Sequence, residues 1–245
     1  MKKIKFVALN PRTKEIEPSP KPAQQFVPEW YKKTSNYESN LGGARKLIDY
    51  VKNINKGDAA YHGTFKICQP FLDAMTSGYM VTLPATIVVV QEVGKDGVKH
   101  PRLYWNTTFD IADLQDPLVA LQFPTPHGYS KELFRWINNW KIETPAGYSL
   151  LYVHPVNRSD LPFHTLTGFV DSDKLPNSVF LPFFIKDSFE GEIPLGTPIA
   201  QVFPIKRDSW QSSEHLETFE YGYDLIKQGF QKVYKKLWWS KKIYR

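Results

Sequence analysis

Between Thr144 and Arg207 the chain alternates turns with short apolar runs, at a spacing that fits an all-β sandwich or barrel. Pro145-Ala146-Gly147 make a turn. The apolar run Tyr148 to Val153 follows and is bounded by His154-Pro155, as a short buried strand would be. A second turn-rich stretch holds Asn157, Ser159, Asp160 and Pro162. Gly168-Phe169-Val170 then brings Asp171 and Asp173 to the end of another short strand, where a carboxylate can face a pocket instead of a core. The apolar pattern resumes from Ser178 to Ile185, and Ile199 to Ile205 makes a last strand.

The flanking sequence is more varied. Pro11, Pro18, Pro20, Pro22 and Pro28 dominate the run up to Trp30, which predicts an extended arm, either laid on the surface or reaching a neighbouring subunit. A helix is expected over Ala44 to Ile54 from the face formed by Leu47, Ile48, Val51 and Ile54. Thr64 to Cys68 reads as a strand stopped by Pro70, and Met80 to Val90 as another, bulged or at an edge because of Pro84. In the link between them Asp73 is expected to cap a turn or a short helical segment. Gly94 to Gly97 marks a hairpin between Val88–Val93 and Val98–Trp105. Asp110, Asp113 and Asp116 recur every third residue, as on a solvated helical face. The period of Leu216, Phe219, Tyr223, Ile226, Phe230, Val233 and Leu237 predicts a C-terminal helix over Ser209 to Trp239.

Composition narrows the classes further. Cys68 is the single cysteine, which excludes an internal disulfide and a multi-cysteine zinc site. The N-terminus lacks the apolar centre of a signal peptide, and no run reaches the roughly 20 apolar residues that span a bilayer. The net charge of +6 resides in the tail: Lys227, Lys232, Lys235, Lys236, Lys241, Lys242 and Arg245 follow Leu225 with no acid among them. With Trp238, Trp239 and Tyr244 for stacking, this tail is a candidate nucleic-acid contact. His154 and His164 lie near the two acids without a spaced third ligand for a metal. Three regions result: an arm with a small helical segment (1–63), a β domain (64–207) and a basic aromatic helix (208–245).

The order PAGY (145–148), Arg158-Ser159, GFVDSD (168–173) and GTPIAQ (196–201) resembles the motif order of the dUTPase and dCTP deaminase superfamily. The resemblance covers about a quarter of the chain. Over its whole length the sequence is similar to proteins encoded by tailed bacteriophages, which share the proline-rich start, a CxPFLDAMTSGY-like segment and a Trp-rich tail. The superfamily resemblance implies a β-barrel or jelly roll and a homo-oligomer, with a trimer as its common form. The phage resemblance implies a place in the host cytoplasm or virion, with virion proteins as partners. For a retained activity, the superfamily resemblance implies a nucleotide with bound Mg²⁺ and Asp171 as the base that activates water. Gly78-Tyr79 matches part of its first motif, which places Tyr79 at the ligand. Arg158, Ser159, Asp173 and Gln201 take the positions of ligand or scaffold contacts.

Departures accompany these matches. Met80 stands where the first motif has Asp, leaving Asp73 as its substitute. NRSD replaces the usual second motif, Lys174 stands where a Tyr follows the acids, and a Gly-rich closing tail is missing. The resulting expectation is a mainly β, non-catalytic module for assembly or ligand binding, with no cofactor of its own and no membrane contact. A Mg²⁺-dependent nucleoside triphosphate pyrophosphohydrolase and a tail-mediated nucleic-acid binder are the alternatives.

Overall fold

The computed structural model describes residues 2–38, 62–120, 122–214 and 230–245. They divide into two compact units. One comprises Met1–Phe26, Gly78–Asp208 and Tyr244–Arg245, and the other Val27–Ser77 with Ser209–Ile243. The strands in chain order begin with β1 (Lys5–Ala8), β2 (Lys21–Pro22), β3 (Tyr37–Glu38), β4 (His62–Gly63), β5 (Tyr79–Thr82) and β6 (Ile87–Val93). Next come β7 (Lys99–Tyr104), β8 (Ala112–Leu114), β9 (Tyr129–Trp136), β10 (Trp140–Glu143) and β11 (Tyr148–Val153). The last are β12 (Phe163–Thr165), β13 (Gly168–Val170), β14 (Leu181–Lys186), β15 (Gly191–Ile193) and β16 (Pro198–Lys206).

The first unit is mainly β. Its sheets run β13-β11-β16-β5-β2, β12-β14-β9-β8, β15-β6-β7 and β1-β10, and every pairing is antiparallel. Among the described residues no closed barrel forms, which corrects that part of the expectation. At one edge of the five-stranded sheet the ladder stops at β2, which has two residues and in which Pro22 lacks the N–H a further strand would need.

One apolar cluster joins these sheets. The five-stranded sheet contributes Leu150, Tyr152 and Val202, the four-stranded sheet Trp136, Phe163 and Phe183, and the three-stranded sheet Ile87, Val89 and Ile193. Trp136 lies flat on Phe183, with ring centres 3.5 Å apart, and Phe163 meets it edge-on at 5.2 Å. Burying one such side chain contributes about 1.5–3 kcal/mol. The indole still needs an acceptor in this apolar setting. Its Nε1–H donates to Thr165 Oγ1 at 3.1 Å, and the Thr165 hydroxyl donates to the Ile199 carbonyl at 2.6 Å. That carbonyl needs a donor because the β16–β5 register skips Ile199, Pro198 pairing with Thr82 and Ala200 with Val81. Thr165 thus closes a β-bulge and links two sheets.

A second irregularity lies on β9. Phe184 pairs with Leu133 and Lys186 with Tyr129, so Ser130, Lys131 and Glu132 together stand opposite Ile185. The ladder bows out there, and the buried pair Leu133-Phe134 breaks the strand's alternation.

Several sequence expectations are met within a residue or a few. Tyr148–Val153, Gly168–Val170 and the hairpin across Gly94–Gly97 are formed, and the last strand runs from Pro198 to Lys206. Others need correction. Thr64–Cys68 is not a strand: the Thr64 hydroxyl accepts from Lys66 N at 3.2 Å and starts a 3-10 turn over Phe65–Ile67. A helix over Gln69–Thr76 follows, with Pro70 in its first turn, where its missing N–H costs no bond. The segment Met80–Val90 is two strands parted at Pro84, not one. Asp113 lies on β8, paired with Arg135, and Asp116 caps the short helix Pro117–Ala120 through Leu118 N, so the three acids share no helical face. Ser209–Glu214 is not helical, while Phe230–Leu237 is. The expected helix over Ala44–Ile54 lies outside the described residues.

The proline-rich start is folded, not extended throughout. Short helical segments occupy Thr13–Ile16 and Ala23–Phe26, and Lys21 pairs with Met80. Glu17 is buried, its carboxylate accepting from Asn139 N and Nδ2 and its carbonyl from Trp140 Nε1. In the second unit, Trp30, Tyr31, Phe65 and Phe71 pack ring against ring beside the helix Gln69–Thr76.

Candidate functional site

The two motif acids meet one arginine. Gly147 and Ser149 lie at the start of β11, which pairs with β16, and Arg207 follows β16, donating its N–H to the Gly147 carbonyl at 2.9 Å. Asp171 and Asp173 come from the turn after β13, the neighbour of β11 on its other side. The Asp173 side chain is 7% exposed, accepts from Gly147 N at 2.9 Å, and is held by both terminal nitrogens of Arg207. Asp171 is 52% exposed and accepts from Ser149 Oγ at 2.6 Å, with Arg207 Nη1 at 3.1 Å. Between the acids Ser172 is buried, its hydroxyl 2.7 Å from that of Thr144.

Every donor in this group favours the charged carboxylate. The Arg207 bonds, followed by that from Gly147 N–H, pull Asp173 down to about 2. Asp171 is also lowered, first by Ser149 and then by Arg207. A general base works best with a pKa near the operating pH, and these donors move both carboxylates away from it. The guanidinium that could meet a phosphate is bound to the two acids instead.

The other residues singled out in the sequence are placed elsewhere. Gln201 is fully buried, and its Oε1 accepts from Val156 N at 2.9 Å, fixing the entry to a turn whose Asn157 has φ of 60°. Arg158 forms a two-pronged pair with Asp160, and the Ser159 carbonyl accepts from Lys186 Nζ at 2.8 Å. Tyr79 is buried among Phe6 and Tyr244, its hydroxyl donating to the Arg245 carbonyl at 3.3 Å. Asp73 belongs to the second unit, where Gln69, Trp239 and Lys242 all donate to it. Burial raises its pKa, yet those three bonds leave it lowered overall. Trp239 and Lys242 are thus tied to the helix Gln69–Thr76 within that unit. His154 accepts from Thr165 N at Nδ1 and so donates from Nε2 to the Arg158 carbonyl. Burial pushes it down to about 4, the marks of a structural, neutral histidine.

A different group lines a surface cavity of about 740 Å³, bounded by the 94–97 hairpin, β7, β8, the helix Pro117–Ala120 and the bowed part of β9. His100 sits at its edge between two carboxylates: Nδ1 meets Glu132, and Nε2 lies 3.1 Å from Asp96 Oδ1. Glu132 first, then Asp96, raises the His100 pKa. With both ring nitrogens engaged, the imidazolium has no free site to act as a base. Gly94 admits this arrangement, because a Cβ there would lie 2.6 Å from Asp96 Oδ1 and 2.7 Å from His100 Cδ2. Sequence reasoning found the hairpin but not the cavity. His100 and Glu132 are 32 residues apart, and they meet where β7 faces the bulged segment of β9.

Among the described residues no group of three metal-ligating side chains is assembled, and no helix is long and apolar enough to cross a membrane. Fold and site define a mainly β protein whose motif acids are internally paired and in which a cavity of about 740 Å³ lies apart from them. Comparison with protein-family models, curated proteins and solved structures finds no match.

Proposed function

We propose that the chain is a non-catalytic β module for ligand binding or assembly, of the phage origin its resemblance suggests, in which the dUTPase-like motif acids serve as framework. The observation that supports this is Arg207, bonded at once to Asp171 and Asp173 and anchored to Gly147. A water-activating site needs a base whose pKa lies near the operating pH and a cation free for phosphate; here Arg207 is taken up by the two acids and lowers both. Self-association, with a trimer as the form drawn from the superfamily, belongs to the same proposal and is read by light scattering of the purified protein.

The test is incubation with deoxy- and ribonucleoside triphosphates and Mg²⁺, followed by pyrophosphate release. No release above the protein-free control is expected. Release that disappears in Asp171→Ala would overturn the proposal and restore a pyrophosphohydrolase.

A further inference from the structure

We infer that the cavity between the 94–97 hairpin and the bulge of β9 binds a small amphipathic anion, with an apolar body and a carboxylate or sulfonate head. The inference rests on the ligand-binding half of the function proposed above, but it uses none of the motif acids. A volume of about 740 Å³ lies within the range of small-molecule sites, roughly 300–1,000 Å³. The apolar part of the wall is exposed: Leu114 at 47% and Phe123 at 41%, the latter leaning on Phe184 with ring centres 5.9 Å apart. Covering those surfaces with an apolar ligand body removes them from water.

Charge selects the head group. Four cationic side chains line the cavity, Lys95, His100, Arg102 and Lys131, against two carboxylates, Asp96 and Glu132. Both carboxylates are engaged by His100; Asp96 also accepts from Val98 N, and Glu132 from Ser130 Oγ. Arg102 is 3.6 Å from Glu92. The Lys95 and Lys131 side chains make no hydrogen bond or ion pair among the described residues; with Arg102 offset by Glu92 and His100 offsetting one of its two carboxylates, the four cations exceed the three acids and the charge left for a ligand is positive. An anion there gains two ammonium partners beside an apolar wall, whereas a cation of the same shape would meet unpaired like charge. The unpaired lysines come from the hairpin turn and from the bowed segment of β9, the two irregular features that frame the cavity.

The probe is 8-anilinonaphthalene-1-sulfonate, titrated by fluorescence against the full chain and displaced with decanoate or with decyltrimethylammonium. The expected result is saturable binding of one probe per chain, displaced by decanoate and not by the ammonium amphiphile, and weakened at least about tenfold in the Lys95→Glu/Lys131→Glu variant. Both positions are at the surface, and an unchanged thermal midpoint establishes that the variant is folded. Equal affinity in the variant, equal displacement by the cationic amphiphile, or no saturable binding would overturn the inference. If binding fails and no pyrophosphate is released either, the assembly half of the proposed function stands. Pyrophosphate release would remove the proposed function whatever the probe does.

Discussion

Two histidines carry opposite electrostatic instructions. His154 is neutral and half-buried, held near pKa 4 against an ordinary 6.5. Because the unfolded chain takes up that proton first, His154 contributes stability fully above pH 6.5, and the contribution shrinks as pH falls toward 4. The loss is about 3 kcal/mol at most. His100 has its pKa raised by Glu132 and Asp96, so its contribution is complete below pH 6.5 and is lost as pH rises through the raised value. Chemical-shift titration of the ring protons is expected to place one histidine below and one above 6.5. Urea midpoints should fall from pH 6.5 to 4 in the native chain, and less steeply in His154→Phe. An unchanged slope would assign the acid loss to carboxylates instead. Nothing in the residue types alone separates these histidines, since each shift depends on neighbours distant in sequence.

At the scale of elements, irregular points matter more than regular ladders. The bulge at Ile199 is closed by Thr165, which also accepts from Trp136. Thr165→Val keeps shape and volume but leaves a buried N–H and a buried carbonyl without partners. The expected cost is about 1–3 kcal/mol for each orphaned group, read as a lower urea midpoint with an unchanged slope. An unchanged midpoint would mean that the link carries no stability. Regular strands were legible because their local signals agree: Tyr148–Val153 is apolar between turn residues, and Gly94–Gly97 announces its hairpin. Bulges leave no such trace, because they record how one strand meets another. Pro70 misled for a related reason, being as compatible with a helix's first turn as with a strand's end.

For the whole molecule, the mainly β character followed from the spacing of turns, whereas sheet order and the open ladders did not, since both depend on pairings between distant segments. The candidate site was legible in part: Asp171 and Asp173 are close together as expected, but Arg207, which decides their chemistry, carries no motif. Replacing Arg207 by Ala leaves the Asp173 side chain, only 7% exposed, with Gly147 N–H as its remaining donor among the described bonds. The thermal midpoint is expected to drop further in Arg207→Ala than in Asp171→Ala, whose carboxylate is half in water. Equal drops would mean that the arginine is not a framework residue.

Lys95, His100, Leu114, Phe123, Lys131 and Glu132 line the cavity, and none of them belongs to the joined apolar core. Strand β9 serves both, giving Phe134 and Trp136 to one and Lys131 and Glu132 to the other. Substitutions can therefore change the shape and charge of the cavity while leaving the core intact, so descendants of this chain could share a scaffold while diverging on this one face.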